Sequence, residues 1–122
     1  MGVIEMKLKE IIGILGAELI FGEQLLDGIE VDRCYGADLM SDVLGRPHAN
    51  GILLTGLTNP QAVRTADIAD IKAVCFVRGK KPDAETVALV KEKDIPLFVT
   101  RLTMFDACGL LYANGLRGVS DQ

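Results

Sequence analysis

From Gly51 onward the chain alternates between two periodicities. The apolar runs "ILLTG", "KAVCFV" and "IPLFVT" are separated by "NPQAVRTADIAD" and "AETVALVKEK", each long enough to form a helix. Strands that are apolar on both faces need a sheet covered on both sides, and strands joined by helices pair in parallel through right-handed crossovers. The expected fold class is therefore α/β: a three-layer α/β/α sandwich around a mainly parallel sheet of about five strands.

The first half supplies the remaining elements. In "MKLKEIIGILG", Leu8, Ile11, Ile12 and Leu15 recur at helical spacing and Gly16 ends the helix. "AELIF", Ala17 to Phe21, is a short strand stopped by Gly22, and "IEVDRCYGA" from Ile29 is a second, half-exposed strand. Asp38 is positioned to cap a short helix through "LMSDVLG", which is followed by the polar loop "RPHAN". Further on, Asn59 caps a helix with Pro60 at its first position, running to about Asp70. Ala84, Val87, Ala88 and Lys91 mark one stripe of the next. Thr103 opens the last helix with Asp106 three residues later, in the spacing of a capping box. That helix carries Ala107, Cys108, Leu111 and Tyr112 on its apolar face and closes on Asn114 and Gly115. Residues 1–115 read as one domain and residues 116–122 as a loosely held tail.

At 122 residues and 49% apolar content, one domain can build its core without disulfide or metal staples. No apolar run approaches the ~20 residues of a membrane span, and the N-terminus lacks the basic head and apolar centre of a signal peptide, so the expectation is a cytoplasmic protein with no membrane partner. Thirteen basic against seventeen acidic residues give a net charge of −4, a field that repels nucleic acid. The cysteines, Cys34, Cys75 and Cys108, form no C-x-x-C pair, and His48 is the only imidazole. Neither a metal site nor a disulfide framework is expected. Cys75 and Cys108 read as small buried hydrophobes. A reactive thiol needs a helix N-terminus or a neighbouring cation, and Cys34, beside Arg33, comes closest.

In an α/β sandwich, ligands collect where the carboxyl ends of strands meet helix N-termini. Three such places carry suitable residues. Thr55, Gly56, Thr58 and Asn59 follow the first of the three strands, Arg78, Gly79 and Lys80 the second, and Arg101 and Thr103 the third. Backbone N–H groups of the first loop and the cations of the others could surround a small anion, with Asp106 opposing it. Gly, a cap and Pro are, however, what the geometry of a strand-to-helix elbow requires by itself, and that reading of the first loop is preferred, while the cations could be a solvated turn. No P-loop ending is present, and the best catalytic trio, Cys34, His48 and Asp38, has no motif behind it. Catalysis is the weaker class, and no cofactor is expected.

From "MKLKEIIGILGAELIFG" through "GILLTGLTNPQAVRTAD", "AVCFVRG" and "PLFVTRLTMFDAC", the sequence resembles the DRTGG domain over nearly its whole length. That domain is found fused to CBS-pair regulators and long phosphotransacetylases, and is similar in fold to the N-terminal domain of HPr kinase/phosphorylase. "NPQAVR" and "VRGKK" stand where the Asp-Arg and Gly-Gly pairs that name the family would be sought. The resemblance implies a regulatory or assembly module. It would be either a homodimeric sensor of a small anionic metabolite or nucleotide, or an interaction and dimerisation module serving a partner metabolic enzyme. The homodimer surface is expected around Cys34, Tyr35, Leu39 and Met40, since Met and Tyr are favoured in interface cores.

Overall fold

The computed structural model describes residues 5–46, 48 and 50–120. Pro47 and Ala49 of the expected polar loop, and Asp121 and Gln122 of the tail, lie outside them. The chain runs β1 (Met6–Lys7), α1 (Leu8–Leu15), β2 (Glu18–Phe21), a 3₁₀ turn (Glu23–Gly28), β3 (Glu30–Val31), β4 (Arg33–Gly36), α2 (Met40–Leu44), β5 (Gly51–Thr55), α3 (Pro60–Ile68), β6 (Ala73–Phe76), α4 (Ala84–Lys93), β7 (Leu97–Val99) and α5 (Met104–Ala113). Five strands form the main sheet in the order β2-β7-β6-β5-β4. The pairs β4–β5, β5–β6 and β6–β7 are parallel, and β2 lies antiparallel against β7 with a bulge between Leu19 and Phe21.

The parallel strands are buried on both sides because two helical layers cover them. On one face α1 and α5 pack Leu8, Ile11, Leu15, Ala107 and Leu111 against Ile52, Leu54, Cys75 and Phe98. On the other, α2, α3 and α4 bring Met40, Val43, Val63, Ala66 and Val90 onto Leu53, Val74, Phe76, Leu97 and Val99. Alternate residues of each strand serve opposite layers, as a pleated backbone dictates. This is the expected three-layer α/β sandwich. Among the described residues no helix is long and apolar enough to cross a membrane.

Local expectations depart from the structure where larger side chains or better partners win. The run from Ile29 is not one strand: Asp32 interrupts it, and β3 leaves to pair antiparallel with β1 in a separate two-stranded sheet. Helix α4 buries Thr86 and Val90, with Val87 and Leu89 beside them, while Ala84, Ala88 and Lys91 are exposed. Facing the core with Val90 removes more apolar surface than facing it with two alanines. Tyr112 is exposed on α5 rather than buried. Tyr35 and Met40, assigned to a dimer surface, lie instead in the core, and the Tyr35 hydroxyl donates to the Arg46 carbonyl. The expected loose tail is partly tied down: Leu116 is buried, and the Cys34 N–H on β4 donates to the Arg117 carbonyl at 2.8 Å. An isolated parallel bridge between Arg33 and Arg117 follows, covering part of an edge strand that would otherwise leave its backbone groups unpaired.

Candidate functional site

Three consecutive crossovers, β4 to β5 to β6 to β7, advance in one direction across the sheet, so α2, α3 and α4 all fall on the same face. After β7 the chain departs to the opposite face, where α5 joins α1. The loops that leave β6 and β7 therefore diverge, opening a crevice at the carboxyl ends of these two strands, which is where α/β sheets hold ligands. A depression of about 280 Å³ lies there, lined by Gly16, Glu18, Gly79, Lys81, Val99 and Arg101. Glu18 reaches it because β2 runs antiparallel and begins opposite Val99. Its carboxylate forms an ion pair with Lys81.

The turn after β6 is the hub. Arg78 and Gly79 both have left-handed backbone, φ 61° and 68°. For arginine this conformation costs on the order of 1 kcal/mol, and it persists only where the surroundings over-determine it. Here two bonds to the loop after β7 do so: the Arg78 N–H donates to the Leu102 carbonyl and the Gly79 N–H to the Thr100 carbonyl, both at 2.8 Å. Thr100, fully buried, fixes that loop in turn. Its hydroxyl donates to the Leu15 carbonyl at 2.8 Å and accepts from the Leu102 N–H.

On the β5 side the turn meets the Thr55–Gly56 junction. A Cβ added to Gly56 would lie 2.6 Å from an Arg78 guanidinium nitrogen and 3.3 Å from an Asp38 carboxylate oxygen, so a side chain there would push the guanidinium away from this position. Lys80 donates to the Gly56 carbonyl at 3.4 Å. Asp38 does not cap α2, whose N-cap is Leu39 with no side-chain bond. Its carboxylate instead accepts the Gly56 N–H at 2.6 Å and the Thr55 hydroxyl at 3.2 Å. Sequence reasoning missed this role because it counted the ends of three strands, whereas β4 is a fourth parallel strand and Asp38 follows it directly.

The structure thus places Gly56, Arg78 and Lys80 together, and Gly79 and Arg101 together in the adjoining depression. The other candidates are engaged in local structure. Asn59 caps α3 by accepting the Gln61 N–H, Thr103 caps α5 by accepting the Asp106 N–H, and the Thr58 carbonyl accepts from the Thr86 hydroxyl. The backbone donors expected to face an anion are also occupied, since Leu57 N–H donates to Thr55 Oγ1 and Gly56 N–H to Asp38. The exposed cationic side chains here are Arg78, Lys80 and Arg101. The trio Cys34, His48 and Asp38 is not assembled. Asp38 follows β4 at the carboxyl edge, whereas His48 precedes β5 at the amino edge and is half-buried. Among the described residues no cluster of three or more His, Cys, Asp or Glu could hold a metal ion.

No protein-family model matches the chain, and no curated protein does. Among solved structures, it is similar to the CBS and DRTGG domains of the regulatory region of Clostridium perfringens pyrophosphatase, complexed with its activator diadenosine tetraphosphate. The TM-score is 0.68 at 17% identity, and the match covers 86% of this chain and 45% of that one. The likeness is one of fold, and this chain spans less than half of the regulatory region it resembles.

Proposed function

We propose that the chain is a non-catalytic regulatory module that senses a small anionic metabolite or nucleotide at the carboxyl edge of β5, β6 and β7. The observation that carries this is the strained Arg78–Gly79 turn, which holds a guanidinium over Gly56 beside the crevice lined by Arg101. The fold likeness to a regulatory region that binds a dinucleoside polyphosphate supports it. Three cations gathered in a protein of net charge −4 create a local field of the opposite sign. A ligand at a hundredfold its Kd adds roughly 2.7 kcal/mol of stability, so thermal melting with adenine nucleotides, diadenosine tetraphosphate and acetyl phosphate is expected to show a rise in Tm of several degrees for at least one. Arg101→Ala should weaken that ligand about tenfold or more while barely altering the Tm of the free protein, because a charge-assisted bond from Arg contributes on the order of 1.5–3 kcal/mol and Arg101 is exposed. Flat melting curves with every compound would favour the second reading.

That second reading is an interaction module, with a homodimer as its simplest form, which would serve a partner metabolic enzyme. It is supported by the outer face of α5. Phe105 is 85% exposed and Tyr112 61%, with Leu110 also exposed, on a ten-residue helix whose one charged residue is Asp106. Phe105, Gly109 and Tyr112 fall at i, i+4 and i+7, one face of the helix. Gly109 has open space above it. Light scattering at tens of micromolar protein should return twice the 13.1 kDa chain mass, and Phe105→Asp should return one chain. A single-chain mass for the unaltered protein would exclude the homodimer.

A further inference from the structure

On the face of the sheet covered by α5, Cys34 and Gly36 of β4 point the same way, two residues apart on one strand. Gly36 leaves room for a sulfur: an added Cβ would lie 2.7 Å from the Sγ of Cys108 on α5. Cys108 therefore rests on the backbone of β4, with its thiol interacting directly with that of Cys34. Both line a surface depression of about 90 Å³ whose walls include Leu111, Tyr112, Leu116 and Arg117. The guanidinium of Arg117 stacks over the Tyr112 ring at 4.4 Å. The two thiols are not equivalent. Their mutual interaction lowers the Cys108 pKa to about 7 and, with burial, raises that of Cys34, whose S–H donates to the Tyr35 carbonyl at 3.7 Å. Cys75, fully buried in β6, is pushed up to about 12 by burial and is inert by comparison.

We propose that Cys34 and Cys108 are a reversible dithiol–disulfide pair, in which Cys108 reacts with hydrogen peroxide and Cys34 resolves the product. The Cys108 thiolate attacks the peroxide O–O bond, forming Cys108 sulfenic acid and releasing hydroxide, which takes up a proton as water. The Cys34 sulfur then attacks the Cys108 sulfur. The S–O bond breaks, and the sulfenic oxygen leaves as water with the proton lost from Cys34. Two thiols are oxidised by two electrons, and one peroxide is reduced to two waters. The new bond ties the edge strand β4 to α5 and closes a loop of most of the chain. Dithiothreitol reverses it by thiol–disulfide exchange.

The test uses the full chain, reduced and desalted, then exposed to a small excess of hydrogen peroxide at protein concentrations low and high enough to separate monomer from any oligomer. Intact mass should fall by two hydrogens, and a non-reducing peptide map should join the Cys34 and Cys108 peptides. The Tm should rise by about 5–15 °C and return on reduction, since a long closed loop restricts the unfolded chain. Cys34→Ser should leave Cys108 as a sulfenic acid that dimedone traps. Cys108→Ser should slow thiol oxidation about tenfold, because the remaining thiols are mostly protonated at neutral pH. A disulfide joining two chains, oxidation of Cys75 in preference, or an unchanged rate in Cys108→Ser would each overturn the proposal.

Discussion

Truncating Phe98 to alanine is expected to lower the unfolding free energy by about 3–5 kcal/mol. The side chain is fully buried at the centre of β7, between β6 and β2, and projects into the layer that α1 and α5 cover. Its removal leaves a cavity that neither helix can fill, because Leu15 and Leu111 are already packed in that layer. A domain of this size has a total stability of about 5–15 kcal/mol, so the variant should unfold at a much lower denaturant concentration with an unchanged slope. A midpoint within experimental error of the unaltered protein would mean that Phe98 is not in the core.

The second large effect is expected at Asp38, where stability and binding should move in opposite directions. Asp38→Ala removes the acceptor of a 2.6 Å bond from the Gly56 N–H and of the Thr55 hydroxyl, leaving a part-buried backbone donor unpaired. Bonds to a charged acceptor contribute about 1.5–3 kcal/mol each and are not independent here, so the expected loss is about 2–3 kcal/mol. The same substitution removes a negative charge from beside Arg78, so a phosphate-bearing ligand of that turn should bind several-fold more tightly. Asp38→Asn retains an acceptor oxygen and should keep more of the stability while showing the same gain in affinity. Chemical denaturation and ligand-dependent melting on both variants read the two effects separately. A loss of affinity in Asp38→Asn would show that the carboxylate itself contacts the ligand.

The layers could be read from the sequence because burial on both faces leaves a strong trace. "ILLTG", "AVCFV" and "PLFVT" contain no charge, and each lies where parallel strands must, with Asn59–Pro60 and Thr103 capping the helices that follow the first and third. What could not be read were choices made by tertiary partners. Asp38 has the residue type and position of a helix cap, and nothing local says that a backbone N–H eighteen residues later binds it more closely. The strained turn was equally hidden, because left-handed backbone at Gly79 is ordinary but at Arg78 is imposed by Thr100 and Leu102 from another strand's loop. Tyr35 shares its strand face with charged Arg33 and so resembles a surface residue, yet it packs in the layer with Met40 and Val43 of α2. The thiol pair joins positions seventy-four residues apart, a distance no spacing rule spans.

The placement of β2 at the sheet edge beside β7 bears on how the chain acquires its structure. Residues 33–99 contain four parallel strands and their three crossover helices in unbroken order, so that unit can assemble from neighbours in sequence. By contrast α1 and β2, synthesised before it, have their partners in α5 and β7, which are made after most of it. During translation α1 cannot complete its packing until β7 and α5 leave the ribosome, which leaves part of the face carrying Ile11 and Leu15 uncovered until then. Closing that long-range contact costs more chain entropy than pairing neighbours, so α1 is expected to dock late and to be the segment a chaperone would meet.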